Sequence, residues 1–374
     1  MTGNICFLGM DNYPVLNPRH GNEYFGGESV QQTLLAKAYA ALGYRVSMIV
    51  KDHGQPQGES IEGIRVWKTF AAGAGIPVLR FVHPRATSIL SALERADADV
   101  YYQSCAGMET GLVAWHCKRR ARRFVFRLAH DTDCIPGQQL IRFWRDRKIY
   151  EYGLRRADFI AAQGTRQVAL LRQNYGLDSS PINMAVEEPA TIDGPRDIDV
   201  LWVNNLRPFK RPGLLVELAA RLSSRRIVMI GGAVPGNEAL YAEIQTLARR
   251  LPNLEFLGAV PYHEVNGYFA RARVFVNTSE QEGFPNSFLQ AWIRAVPVIS
   301  FFDPDGLIAG VGLGEAPADI EGMTSAVERL LSSETDRALV AERCRRYALE
   351  NYAPAAVARR YIELGAMDDA FSAP

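Results

Sequence analysis

Residues 273–300 read Arg273-Val-Phe-Val-Asn-Thr-Ser-Glu-Gln-Glu282-Gly-Phe-Pro-Asn-Ser-Phe-Leu-Gln290-Ala-Trp-Ile-Arg-Ala-Val-Pro-Val-Ile-Ser300. An apolar run, a turn of small and polar residues, an amphipathic stretch and a second apolar run follow one another, which predicts strand, loop, helix, strand. Strands joined by a helical crossover lie parallel. Glu282 falls at the tip of the first strand. Gly283, Phe284, Pro285, Asn286 and Ser287 form the turn that opens the helix, where unpaired N–H groups and the helix dipole favour an anion. Gln290 comes eight residues after Glu282, about one turn into the helix.

The same alternation extends outward in both directions. In the first half, strands are expected near 4–9, 45–50, 99–103, 123–129 and 158–163, with helices near 28–43, 108–121, 136–156 and 165–175. A Pro-, Gly- and acid-rich break, Glu187-Glu-Pro-Ala-Thr-Ile-Asp-Gly-Pro-Arg-Asp197, reads as a linker. Beyond it, strands are expected near 199–203, 226–230, 254–258, 272–277 and 296–301, with helices near 209–222, 236–250, 262–270 and 286–295. The expected domains are residues 1–187, a linker at 188–197, a second domain at 198–352, and a closing segment, 353–374, whose helix returns to the first domain. The fold class is α/β: two doubly wound, Rossmann-like domains facing across a cleft, with ligands beyond the carboxyl ends of the strands.

The chain has 374 residues, 48% hydrophobic and 22% charged, with a formal charge of +1. That composition excludes a disordered chain, and the balanced charge argues against nucleic acid as a partner. Residues 1–192 hold 23 basic and 18 acidic side chains (+5), and the remainder 19 and 23 (−4). The first domain is thus expected to meet an anionic surface or substrate, or to be simply solvated. Five scattered cysteines without a CxxC pair suggest a reducing compartment. No apolar run approaches the ~18 residues of a membrane span, so a cytoplasmic protein is expected. Two basic stretches, 116–123 and 142–148, suit anionic headgroups at the inner face of a membrane, or are solvated helix ends.

Neither half carries GxGxxG after its first strand, and GxxxxGK[ST] and HExxH are absent. The stretch Leu201-Trp-Val-Asn-Asn205-Leu-Arg207-Pro-Phe-Lys210-Arg-Pro212 runs from strand through loop to helix, with two cations where an anion could sit. Gly26-Gly27 opens the first helix, and a glycine there lets backbone approach a ligand closely. His130 ends the strand near 123–129 and is followed by Asp131.

Over nearly its whole length, and most strongly from about 199 to 301, the chain resembles the GT-B glycosyltransferases, and within them the retaining family 4, the glycosyl transferases group 1. The shared features are Glu282-Gly-Phe284, a polar residue eight positions after Glu282, and Pro297-Val298. The resemblance implies that Glu282 holds hydroxyls of the donor sugar and that Gln290, where the family has Glu, meets the ribose diol. A carboxylate accepts from two hydroxyls, whereas Gln offers one acceptor and one donor group. Lys210 matches the family's diphosphate-binding Lys. Asn205 occupies the place of its Arg, so Arg207 is expected to supply that charge. Backbone near Val260 would meet the base, Gly27 the phosphates and acceptor, and His130 the sugar beside the bond that breaks.

Asp131-Thr-Asp133, Asp197-Ile-Asp199 and Asp303-Pro-Asp305 each fit DxD, yet the family implies no metal and no other cofactor. The implied activity is retaining transfer of a sugar from a UDP-, GDP- or ADP-sugar to a hydroxyl of a glycan or lipid-linked acceptor, in surface polysaccharide assembly. Two rivals are a GT-B sugar-nucleotide epimerase and a non-catalytic sugar-nucleotide-binding partner, the latter encouraged by Asn205 and Gln290.

Overall fold

The computed structural model describes the chain apart from residues 1–2, 18, 20–26, 78, 190, 192–193, 235, 281–283 and 368–374, and gives only the backbone of Tyr262 and His263. The chain divides into two compact units, Met1–Ala185 with Pro354–Pro374, and Val186–Ala353.

The sheet of the first unit contains β1 (Asn4–Leu8), β2 (Arg45–Asp52), β3 (Ser60–Ile61), β4 (Ile64–Ala71), β5 (Val100–Ser104), β6 (Arg123–Arg127), β7 (Phe159–Ala162) and β8 (Ser180–Pro181). Their order is β3-β4-β2-β1-β5-β6-β7-β8, with Ile5 of β1 opposite both Val46 and Val100. Every described pairing is parallel except β3 with β4. Alternate residues of β1 serve different cores, Ile5 and Phe7 on one face and Cys6 and Leu8 on the other. A strand covered on both faces must be apolar throughout, which makes these runs continuous in the sequence. The hairpin of β3 and β4 was not anticipated.

Two helices of this unit, Met108–Arg120 and Trp144–Leu154, approach closely through glycines. A Cβ on Gly111 would run into Ile149, and one on Gly153 would lie 2.5 Å from the Thr110 carbonyl. The helix expected over 136–156 begins only at Trp144. Gly137 sits at φ +82°, the Gln139 side chain accepts from its N–H at 3.0 Å, and the Gln139 amide donates to the Tyr175 hydroxyl at 2.6 Å. These side-chain bonds hold 136–143 in turns, an alternative to the helical ladder.

The helix Pro354–Glu363 completes the first unit's core with Val357, Ala358 and Tyr361. Tyr39 Oη donates to the Ala358 carbonyl at 3.2 Å, and the buried Arg127 donates to Tyr361 Oη at 3.0 Å. Arg123 donates to the carbonyls of Gly365 and Ala366 at 2.6 and 3.1 Å.

The second unit holds β9 (Ile198–Val203), β10 (Ile227–Ile230), β11 (Leu254–Gly258), β12 (Ala272–Asn277), β13 (Val298–Ser300) and β14 (Gly314–Glu315), in the order β11-β10-β9-β12-β13-β14, all parallel. One face packs Trp202, Met229, Val274 and Val276 against helices that include Pro212–Arg221 and Ile320–Ser332. The ring chain Phe269, Phe275, Phe288 and Trp292 continues from β12 into the helix Asn286–Ile293, with centroids 5.3 to 6.2 Å apart. Just before β9, Arg196 donates to the carbonyls of Ala272 and Arg294 at 2.6 and 2.7 Å, tying that stretch to this unit. Among the described residues no helix is long and apolar enough to cross a membrane.

Candidate active site

β9 and β12 are neighbours, with Val200 opposite Val274, so their loops leave at the same carboxyl edge. The loop after β9 is pinned from below: Asn204 N–H donates to the Ile230 carbonyl and Leu206 N–H to that of Gly232, each at 3.1 Å. A Cβ on Gly231 would run into the Asn204 carbonyl, so this approach requires glycine. A 3₁₀ turn, Pro208–Lys210, follows, and Arg211 turns the chain into the next helix at φ +47°.

This loop is laced to the one after β12. Arg211 Nε donates to the Thr278 carbonyl at 2.9 Å, Thr278 Oγ1 to the Lys210 carbonyl at 2.7 Å, and Glu280 N–H to the Phe209 carbonyl at 2.9 Å. Trp202 Nε1 donates to Thr278 Oγ1 at 3.0 Å. The lacing leaves Asn205 and Arg207 exposed and Lys210 half-buried, its ammonium 5.1 Å from the Phe209 ring centroid. At the end of β12 the buried Asn277 accepts the Ser279 N–H at 2.9 Å, while its Nδ2 has no partner among the described residues. Val260, half-buried, follows β11 just past Gly258 at φ +69°.

The helix Asn286–Ile293 begins beside this edge. Pro285 is its buried N-cap, Phe284 packs 5.6 Å from Tyr352, Asn286 is exposed and Ser287 half-buried. No side chain caps its N–H groups among the described residues. Glu282 and Gly283 lie outside the described residues. Gln290 is buried, and its amide donates to Asn266 Oδ1 on the helix Tyr262–Arg271 at 3.2 Å.

At the carboxyl edge of the first unit's sheet, Gly27 is exposed at the start of the helix Gly27–Ala41. Behind it lies a polar cluster that the sequence had not brought together. Gln32 donates to Ser104 Oγ at 2.8 Å and to Glu28 at 3.4 Å, and accepts from Asn12 at 3.0 Å. Burial pushes the Glu28 carboxyl up to about 7, although Arg127 and the Gln32 hydrogen bond pull the other way. Arg127 is a buried charge at the end of β6, after the apolar Phe124–Phe126, a feature of the sequence that could have flagged the cluster. His130 is exposed; its N–H and that of Ala129 both donate to Asp133 Oδ2 at 3.0 Å, while burial raises the Asp133 carboxyl.

In each DxD at least one carboxylate has a protein partner. Asp131 meets Arg166 at 2.9 Å, Asp197 meets Arg226 and Arg271 at 2.5 Å, and Asp303 takes the N–H groups of Ile308 and Ala309. Among the described residues no group of three His, Cys, Asp or Glu side chains could hold a metal.

The chain is thus a two-unit α/β protein whose second unit gathers cations and an uncapped helix start at one sheet edge, a candidate anion site. Glycosyl transferases group 1 match residues 197–333, and the glycosyl transferase 4-like domain matches residues 26–185. Sucrose-phosphate synthase from Thermosynechococcus elongatus is 18% identical with a TM-score of 0.69, over 96% of this chain and 98% of that one. HepE from Anabaena, solved with UDP and glucose, is 15% identical with a TM-score of 0.69, over 98% and 100%. The catalytic domain of starch synthase IV from Arabidopsis thaliana, bound to ADP and acarbose, is 14% identical with a TM-score of 0.70, over 97% and 99%. No curated protein matches the chain. With both halves matched, the chain belongs to the glycosyl transferases group 1 and is a GT-B glycosyltransferase.

Proposed function

We propose that this glycosyltransferase moves a sugar from a nucleoside-diphosphate-sugar to a hydroxyl of a glycan or lipid-linked acceptor, with retention of configuration, in surface polysaccharide assembly at the inner face of a membrane. One observation carries the reading. Lys210 and the uncapped start of the helix Asn286–Ile293 stand at the carboxyl edge of a single sheet, where a diphosphate gains both a cation and aligned N–H groups. Arg207, exposed in the same loop, adds charge. HepE and starch synthase IV, solved with UDP and ADP, support a nucleoside diphosphate as the donor class.

In this reading the bond from the anomeric carbon to the diphosphate oxygen breaks. The acceptor oxygen bonds to that carbon on the same face, and its proton passes to the departing diphosphate. Lys210 and the N–H groups of Phe284, Asn286 and Ser287 hold the charge that develops there. Glu282 and His130 hold the sugar, Gln290 the ribose, and backbone near Val260 the base. No metal takes part.

The test is thermal stabilisation by UDP, GDP and ADP. A nucleotide at 100 times its Kd stabilises by about 2.7 kcal/mol, and one of the three is expected to raise the Tm clearly above the others. Lys210→Ala should erase that shift, and a shift that survives would remove the diphosphate from this loop. Assays with the chosen donor should then need an acceptor; product from donor alone would favour epimerisation.

A further inference from the structure

We infer that the first unit carries a face built to dock on an anionic lipid bilayer, formed jointly by residues 76–86 and 140–148. Eight large apolar side chains are exposed among the described residues, and six belong to these two segments: Ile76, Leu79, Val82, Leu140, Phe143 and Trp144. Leu140 is 75% and Trp144 76% exposed, so neither is a core residue at its margin. Single exposed leucines are common, but a contiguous apolar patch marks an interaction surface.

The two segments form one patch. The Arg145 guanidinium lies 3.4 Å from the Phe81 ring centroid and 5.9 Å from that of Phe143, and Arg142 lies 5.3 Å from Phe143. Phe81 and Ile141 pack into the core and anchor the segments, while their apolar neighbours stay in solvent.

Charge selects the occupant. The segments contain Arg80, Arg85, Arg142, Arg145, Arg147 and Lys148 against one carboxylate, Asp146, which is paired to Arg145 at 2.8 Å; Lys148 also meets Glu151, just beyond the segment, at 2.9 Å. Such an excess of cations asks for an anionic partner, and a bilayer takes aromatic rings at headgroup level and cations at its phosphates. In the basic stretch 116–123, three of the five cations are already engaged. Arg120 pairs with Glu94 at 2.7 Å, Arg122 with Asp97 and Asp99 at 2.8 Å, and Arg123 binds backbone carbonyls. Residues 76–86, which the sequence had not singled out, join the expected stretch 142–148.

The inference deepens the reading of a lipid-linked acceptor but rests on the surface alone, and its test needs neither donor nor acceptor. The full-length protein is sedimented with phosphatidylcholine vesicles containing about 30% phosphatidylglycerol, and with phosphatidylcholine alone. Binding is expected to be at least about tenfold tighter to the anionic vesicles. It should be lost near 1 M salt, where the Debye length is about 3 Å. The double substitution Leu140→Ser with Trp144→Ser, and separately Arg142→Glu with Lys148→Glu, should each weaken binding about tenfold or more at an unchanged Tm. Equal binding to neutral vesicles, or none to either, overturns the inference. So does self-association that Leu140→Ser with Trp144→Ser abolishes, since the face would then join copies of this chain. None of these failures touches nucleotide binding at the second unit.

Discussion

In the proposed reading Gln290 stands where a carboxylate would accept from both hydroxyls of a ribose, and its amide already donates to Asn266. In Gln290→Glu, Asn266 can turn its own amide toward the new carboxylate, which keeps the second oxygen for the diol. The gain of one hydrogen bond is about 1 kcal/mol, so the donor KM should fall about fivefold with little change in kcat. A raised KM would mean that the Gln290–Asn266 pair serves packing and not the nucleotide. Glu28 makes a second prediction at this scale. Its folded carboxyl titrates at about 7 instead of the ordinary 4.5, so between those pH values the folded chain holds a proton that the unfolded chain has released. Stability therefore falls as pH rises through that window. Glu28→Gln removes this dependence: the variant should melt above the parent at pH 8, and the gap should shrink toward pH 5. Tm measured for both proteins across this range checks it, and a pH-independent gap would contradict the burial of the charge.

At the scale of elements, a tight constraint is the crossing of Met108–Arg120 and Trp144–Leu154, where the three atoms nearest a Cβ on Gly153 are all backbone atoms of residues 110 and 111. Backbone cannot rotate aside, so Gly153→Ala should cost about 1–3 kcal/mol. A Tm lower by several degrees, with nucleotide binding in the second unit preserved, is the expected outcome. What the sequence revealed about elements follows from burial. The strands β1, β5, β6, β9 and β12 are covered on both faces, and their centres stood out as apolar runs such as Phe124–Phe126, Val200–Val203 and Val274–Val276. β4 lies near the sheet's edge and alternates, with Ile64 and Val66 buried and Arg65 exposed, a weaker signal that was passed over. The false start of the helix at 136 came from tertiary hydrogen bonds of Gln139, which no local pattern carries. At the site, the position of Lys210 just past β9 could be read from the strand that precedes it. The Gln290–Asn266 pair could not, because its partners lie on different helices, 24 residues apart. The polar cluster of Glu28, Gln32, Ser104 and Arg127 was hidden for the same reason.

For the whole molecule, the chain's last helix belongs to the unit its first residues build, and this makes the two units separable by experiment. Ending the chain at Ala353 would remove Val357, Ala358, Tyr361, Ala366 and Met367 from the first unit's core. Each large apolar side chain contributes about 1.5–3 kcal/mol, and the sum approaches the 5–15 kcal/mol that holds a domain together. The truncation also strands the buried Arg127, whose guanidinium gives one hydrogen bond to Tyr361 Oη and another to the Ile182 carbonyl. The second unit, Val186–Ala353, keeps all its own strands. Truncation should therefore abolish one part of the melting curve and spare another, and the nucleotide that stabilises the full chain should still raise the surviving transition. Tyr361→Phe gives the graded form of the same test. It keeps the ring, 5.8 Å from that of Tyr102, and removes only the hydroxyl that Arg127 binds. A buried donor left unpaired costs about 1–3 kcal/mol, which should lower the first unit's transition and leave the nucleotide-sensitive one in place. If both transitions moved together in Tyr361→Phe, the units would be coupled in stability, and the truncation would be expected to unfold the whole chain.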